Sequence, residues 1–369
     1  MRRSVLLLLV VLGCTRPHGA PTASSSAPVT AHRPATSSST SPSVWTIPTI
    51  PPGWTPPAKA KVTYPPGVVV IKPGAVPHPP PDGVDVVHEV VVDEKDAFFS
   101  DGFGYVWRAP KDGSGAASMV WDAKNGHAMS LVLHGGDVLF ALTPPWSPNG
   151  KSKPMIVRVP KTGGAHVTLS VETEDPLYLV RDDTNLYFAL FDGTSVRRIP
   201  LAGGASVAVR TPGIKSGSLA VDPSGGSLYV SDYARGTVSK ISKATNAETV
   251  LASGMPKPVG IAIDATHVYF PCEGDGSVRR VAKSGGPLQV LATQQINNDE
   301  LVVDDTWVWW STWAKPHALM RTKKDGSGTA VTVVPNLHEP TGLSLDTTPG
   351  ATSVYVANKG AGEVLVVPR

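Results

Sequence analysis

The chain has 369 residues, with 33 Lys and Arg against 30 Asp and Glu, and a formal charge of only +3. That balance supplies neither the basic stripe nor the recognition motif that nucleic acid requires, so a nucleic-acid partner is excluded. At 41% hydrophobic and 17% charged residues, the folded part has an ordinary globular composition and the length for a large core.

The chain opens MRRSVLLLLVVLGC, with Arg2 and Arg3 ahead of an apolar run from Val5 to Leu12, then Gly13 and Cys14. The run is too short to span a bilayer, which takes about 20 residues. A basic start, a short apolar core and a small residue before the processing point predict a secretory signal that is removed from the mature chain.

The segment Val11-Leu12-Gly13-Cys14 resembles the lipobox of bacterial lipoproteins, in which the cysteine thiol is acylated and becomes the new N-terminus. The resemblance covers this segment alone, and Val11 stands where leucine is commonest. It implies an exported lipoprotein anchored to a membrane through Cys14, each buried acyl CH₂ adding about 0.8 kcal/mol. Thr15 is non-acidic, which resembles the pattern sorted to the outer membrane of Gram-negative cells, so the outer membrane or cell surface is the expected location. An ordinary signal peptide with a chance cysteine is the alternative. With Cys14 acylated, Cys272 has no intramolecular partner, and stability has to come from packing.

Residues 15–83 are dominated by Pro, Ser, Thr and Ala, as in TASSSAPVTAHRPATSSSTSPSVW. Such a segment cannot bury enough apolar surface to offset its ordering entropy, so a disordered tether is expected. In polyproline II geometry it would reach roughly 200 Å. Its composition also fits an O-glycosylated stalk. Within it, GVVVIK at 67–72 reads as a lone strand.

From 84 to 369 one pattern recurs: an apolar strand ending in Asp, a turn, an aromatic-rich strand, a loop, a third strand rich in Arg or Lys, and a glycine turn. Its reference positions are Asp93, His134, Asp182, Asp222, Asp264, Asp304 and Asp346, about 40 to 48 residues apart. A large residue follows at Phe98, Leu139, Tyr187, Tyr229, Tyr269, Trp309 and Tyr355, and two positions later every copy has a small residue or proline. Repeats of this length with four short strands predict an all-β fold, a single β-propeller of seven blades, with six or eight open if an end copy is miscounted. The last copy ends on a third strand, so Val68 to Ile71 or the strand near Val84 to Val87 is expected to close the ring. Closure removes the exposed edges that invite aggregation.

The repeats, as in PVGIAIDATHVYFPCEGDGSVRRV and PTGLSLDTTPGATSVYVANKGAGEVLVV, resemble the broad group of NHL, YVTN and SMP-30-like propellers. The resemblance covers all seven copies and specifies a blade. It does not specify an activity, because that group holds receptors, scaffolds, lactonases and lyases. The Glu, Asn and Asp metal set of SMP-30-type lactonases has no residue-by-residue match here. The His/Glu cluster of streptogramin lyases likewise lacks its local motif.

In such a ring the loops leading into the first strands and those between second and third strands share one face around the axial channel. Leading in are His88 with Glu89, His127, Asp175, Lys215, Lys257, Asn298 with Asp299 and Glu300, and His338 with Glu339. Leaving the second strands are Asp101, Asp192, Asp232, Glu273, Asp275, Trp313 and Asn358. A ligand-binding face of Glu89, Asp101, Asp232, Glu300 and Asn358, joined by His88 and Glu273, is expected to converge on the channel mouth. Carboxylates and amides there would suit a hard divalent cation such as calcium, and His with Glu would suit acid/base chemistry. Solvated loop residues and turn caps are the alternative. Leu142, Leu190, Cys272 and Thr312 interrupt the polar ring, so a full metal cage is not expected from it. The six reference aspartates are expected to cap turns, Cys272 to be an inert buried thiol, and Trp307, Trp309 and Trp310 to pack between blades. Trp313 and Trp146 are the more exposed contact candidates.

The expectation is a monomeric surface lipoprotein, non-catalytic, whose propeller binds a peptide, glycan or partner protein. The alternative is a periplasmic or surface hydrolase or lyase using a divalent cation at the channel mouth.

Overall fold

The computed structural model describes residues 63–74 and 87–369, apart from 103, 123–125, 144–152, 192, 194, 215–216, 223–224 and 296–297. The expected signal peptide, Cys14, most of the expected tether and Trp146 lie outside the described residues.

After the short β1 (Val69–Ile71), the first full repeat is β2 (Val87–Val92), β3 (Asp96–Asp101), β4 (Tyr105–Pro110) and β5 (Ser118–Asp122). The second is β6 (His127–His134), β7 (Asp137–Thr143), β8 (Met155–Pro160) and β9 (Val167–Val171). The third is β10 (Pro176–Arg181), β11 (Asn185–Leu190), β12 (Val196–Pro200) and β13 (Val207–Arg210). The fourth is β14 (Ser218–Val221), β15 (Ser227–Asp232), β16 (Thr237–Ser242) and β17 (Glu248–Ser253). The fifth is β18 (Ala262–Ile263), β19 (His267–Cys272), β20 (Ser277–Ala282) and β21 (Gln289–Ala292). The sixth is β22 (Asn298–Val303), β23 (Trp307–Thr312), β24 (Ala318–Lys323) and β25 (Val331–Pro335). The last is β26 (Pro340–Leu345), β27 (Ser353–Asn358), a 3-10 turn at Lys359–Ala361, and β28 (Glu363–Pro368).

Each of the first six repeats is one four-stranded antiparallel sheet. The seventh sheet runs β26, β27, β28, β1, with Val69, Val70 and Ile71 paired to Val366, Leu365 and Val364. First strands of successive repeats pack on one another from β2 round to β26, and β26 packs back on β2. The protein is an all-β, seven-bladed β-propeller. Its ring takes one strand from upstream of residue 84.

The apolar core lies between blades, in seven clusters. Alternation along each second strand sends successive side chains to opposite neighbours. Phe98 packs with Val138 and Phe140 of the second blade, whereas Phe99 packs with Tyr355, Val364 and Val366 of the last. Trp309 faces the last blade and Trp310 the fifth. The second strands are therefore buried on both faces, which explains aromatic runs where a one-sided strand would alternate with polar residues.

The reference aspartates cap the turns between first and second strands. Asp264 Oδ1 accepts from the backbone N–H groups of Thr266 and His267 at 2.8 Å each, and Asp93, Asp182 and Asp304 repeat the arrangement. The second carboxylate oxygen has a use that the sequence did not announce. It meets a cation from the next blade: Lys161 to Asp93 at 2.7 Å, Lys243 to Asp182 at 2.9 Å, Lys283 to Asp222 at 3.2 Å, Lys324 to Asp264 at 3.0 Å, Arg369 to Asp304 at 3.9 Å and Lys111 to Asp346 at 2.7 Å. The missing pair is missing on both sides. The second blade carries His134 in place of the aspartate, and the third carries the buried Leu201 in place of the lysine.

Candidate functional site

The face opposite these ion pairs carries the loops singled out in the sequence, and its innermost strands are bulged near their starts. Pairing registers shift between Val87 and Glu89, Met129 and Val132, Leu177 and Val180, Asn298 and Leu301, and Pro340 and Leu343. Bulges re-aim side chains, and here they aim them at the next blade. Glu89 Oε2 accepts from the Leu131 N–H at 2.8 Å, Ser130 Oγ from the Tyr178 N–H at 3.0 Å, and Glu300 Oε2 from the Leu343 N–H at 3.0 Å. Thr341 completes the series by donating its hydroxyl to the His88 carbonyl at 2.7 Å. Burial raises the Glu89 pKa, and the Ser130 and Leu131 N–H groups oppose that rise. Glu89 and Glu300 thus stitch blades together.

Asp101, Asp232 and Asn358 are buried and turned inward. Asp101 accepts from the Tyr105 N–H at 3.0 Å and the Trp107 indole at 2.8 Å. Asp232 pairs with Arg210 at 3.0 Å, and Arg210 also meets Glu248 at 3.1 Å. Asn358 accepts from the His338 N–H at 2.7 Å and donates to Tyr64 at 2.9 Å and Glu363 at 3.2 Å. These three cap loops and join strands, so their polar tips do not form the expected ligand-facing ring. Glu273 is half-buried at the same face, held by its N–H to the Lys257 carbonyl at 3.0 Å. Lys257 lies over the Tyr233 ring at 5.3 Å. Asp192 and Lys215 are outside the described residues, as are the side chains of Asn298 and Asp299.

What remains is a group spread over the last, first and second blades. His88 sits on β2, and burial, then the charge of Lys359, then His127, push its pKa down to about 3. Lys359 begins the 3-10 turn that packs on β2. Burial lowers its pKa, opposed by Glu339. Farther round, burial raises the Asp175 pKa, with the Thr143 hydroxyl holding it down and Glu174 adding to the rise. His127 also holds Asp175 down, which links the group to the third blade. His127, His338 and Glu339 are exposed, whereas Lys359 is 8% exposed.

Sequence reasoning named His88, His127, His338 and Glu339 and passed over Lys359. The available signal was its position, immediately after Asn358 at the end of a second strand. At neutral pH the mouth offers an uncharged imidazole in His88 beside a buried lysine. That arrangement can donate hydrogen bonds and receive negative charge.

No family model matches the chain. Among solved structures it is similar to a streptogramin B lyase (16% identity, TM-score 0.60, covering 81% of this chain and 96% of that one). A catalytically inactive His-to-Ala variant of virginiamycin B lyase from Staphylococcus aureus with quinupristin gives 14% identity and TM-score 0.63, over 83% of this chain and 100% of that chain. YCF48 bound to D1 peptide gives 13% and 0.59, over 82% and 97%. The likeness is one of fold. At these identities a lyase and a peptide binder are equally good matches, so the site has to be argued from its own residues.

Proposed function

We propose that the chain is an exported lipoprotein, acylated at Cys14, whose propeller uses the channel mouth around His88, His127 and Lys359 to bind a peptide segment of a partner protein. One observation carries the binding site. Glu89, Asp101, Asp232, Glu300 and Asn358 are committed to stitching blades or capping loops, whereas these three make no side-chain hydrogen bond among the described residues. Polar groups near the ring axis without structural duty are the usual material of a binding site. YCF48, similar in fold, is bound to D1 peptide in its solved structure.

The anchor rests on MRRSVLLLLVVLGC alone. Among the described residues no helix is long and apolar enough to cross a membrane. A photocrosslinking residue in place of Glu273, at the mouth, is expected to capture a partner in the native host, and the same residue in place of Thr332, on the outer strand β25, is not. Equal capture from both positions, or none from the mouth, defeats the reading. Cys14→Ser in the same cells is expected to move the protein to the soluble fraction, and retention without acylation defeats the anchor.

A metal-dependent hydrolase or lyase is the second reading, favoured by the neutral imidazole of His88 close to His127. No three His, Cys, Asp or Glu side chains come together as a ligand set among the described residues. Calcium, zinc and manganese titrations read by melting temperature separate the readings, because a cation bound only by the native state raises stability with concentration.

A further inference from the structure

Two cations are buried among the described residues, Arg210 and Lys359. The guanidinium of Arg210 is matched by Asp232 and Glu248 and also donates to the Gly213 carbonyl at 2.6 Å. Lys359 is 8% exposed, and among the described residues its ammonium has no ion pair within 4.0 Å and no hydrogen bond. The Lys359 ammonium is not fully sealed, and solvent still reaches its tip. A buried, unmatched ammonium is strongly unfavourable for folding, and such groups persist where a function needs the charge.

The lysine is also held in place. Asn358, just before it, has both its amide nitrogen and its oxygen bonded. The Gly360 N–H donates to the His338 carbonyl at 2.8 Å, and the Gly362 N–H to the carbonyl of Lys359 itself at 3.0 Å. Gly362 lies at φ 67°, in the left-handed region that glycine tolerates, and a Cβ on Gly360 would come within 3.2 Å of the His338 oxygen. The 3-10 turn therefore presents Lys359 from a fixed backbone against β2, toward His88. Glu339 is exposed and beyond ion-pair distance, so it leaves the ammonium open to another anion.

Given a peptide-binding mouth, we propose that Lys359 is its carboxylate receptor, taking the C-terminal carboxylate or an Asp or Glu side chain of the bound peptide, with the imidazoles of His88 and His127 as flanking donors. A charge-assisted hydrogen bond to a largely buried ammonium gives such a contact its strength and its preference for an anion over a neutral amide.

The test uses the full chain against three immobilised peptide sets: free C-termini without internal acids, the same sequences amidated, and amidated sequences each with one Asp or Glu. Retention of the first set assigns the C-terminal carboxylate, retention of the third assigns the acidic side chain, and retention of both assigns the shared chemistry. The neutral amidated set is expected to be lost. Lys359→Met should weaken retained peptides at least tenfold, and Lys359→Arg should keep most of the affinity. The Lys359→Met melting temperature should stay level or rise, because an uncompensated charge has been removed. Binding that ignores the peptide's charge, or survives Lys359→Met, overturns the receptor and leaves the binding face standing. A clear fall in melting temperature for Lys359→Met shows a structural lysine and overturns it too. If the wild-type chain retains none of the three sets, the peptide-binding reading fails and takes the receptor with it.

Discussion

His88 shows how position alters an ordinary side chain. Burial and the neighbouring Lys359 hold its pKa near 3, well below the usual 6.5, so between those values the unfolded chain binds a proton that the native protein refuses. Stability rises with pH wherever the unfolded state binds more protons. The contribution is therefore complete above about pH 6.5 and drains away as pH falls toward 3. His88→Gln should flatten that part of the profile in urea unfolding measured at a series of pH values. An unchanged slope would mean that His88 titrates normally. Asp232 behaves in the opposite way to a ligand residue. Asp232→Ala leaves Arg210 with one carboxylate fewer in a buried site and is expected to cost about 3 kcal/mol, readable as a shift in the urea midpoint. A change within about 0.5 kcal/mol, the usual effect at an exposed position, would return Asp232 to the candidate ligand face.

At the scale of the element, the turn between first and second strands does two jobs. Its aspartate satisfies backbone N–H groups within the blade, and its second oxygen receives a cation from the next. For Asp93, Asp182, Asp222, Asp264 and Asp346, burial pushes the pKa up, but the turn donors and the lysines pull it below 3.8. Their stabilisation is complete above that value and is lost as pH falls below it. The gap between the second and third blades allows a direct test. Leu201→Lys alone places an unmatched ammonium in a buried site and should cost about 2 kcal/mol, of which His134→Asp should restore at least half. Additive effects in that double-variant cycle would show that the Asp and Lys positions are not coupled across the blade interface.

For the molecule as a whole, stability depends on closing the ring. β1 pairs along β28, Ile71 is 3% exposed within the cluster between the first and last blades, and Tyr64 donates to the Glu363 carboxylate. A chain starting at residue 63 should unfold like the full chain. One starting at 75 should lose more than about 3 kcal/mol, from Ile71 alone about half of that, and should self-associate through the open edge of β28. Equal stability of the two truncations would show that β1 contributes nothing to closure.

The repeat itself was legible from residues alone, because blade geometry is local: the period, the turn aspartates, the large residue at Phe98 or Trp309 and the small one two positions later each follow from strand alternation within one copy. Turn capping by those aspartates was legible for the same reason, since donor and acceptor lie within three residues. The sequence could not decide between β1 and the segment near Val84 to Val87 as the closing strand, because that pairing joins residues almost 300 positions apart. Nor could it tell a carboxylate that faces a ligand from one that bonds its own backbone. Glu89 and Glu300 read as site residues because they are acidic and near the axis, but the bulge in each inner strand turns them onto the neighbouring blade. Lys359 drew no reading at all, because nothing in Asn-Lys-Gly-Ala-Gly reports burial. Only the closed ring sets β2 against that turn, and burial beside His88 is what makes the lysine chemically distinct.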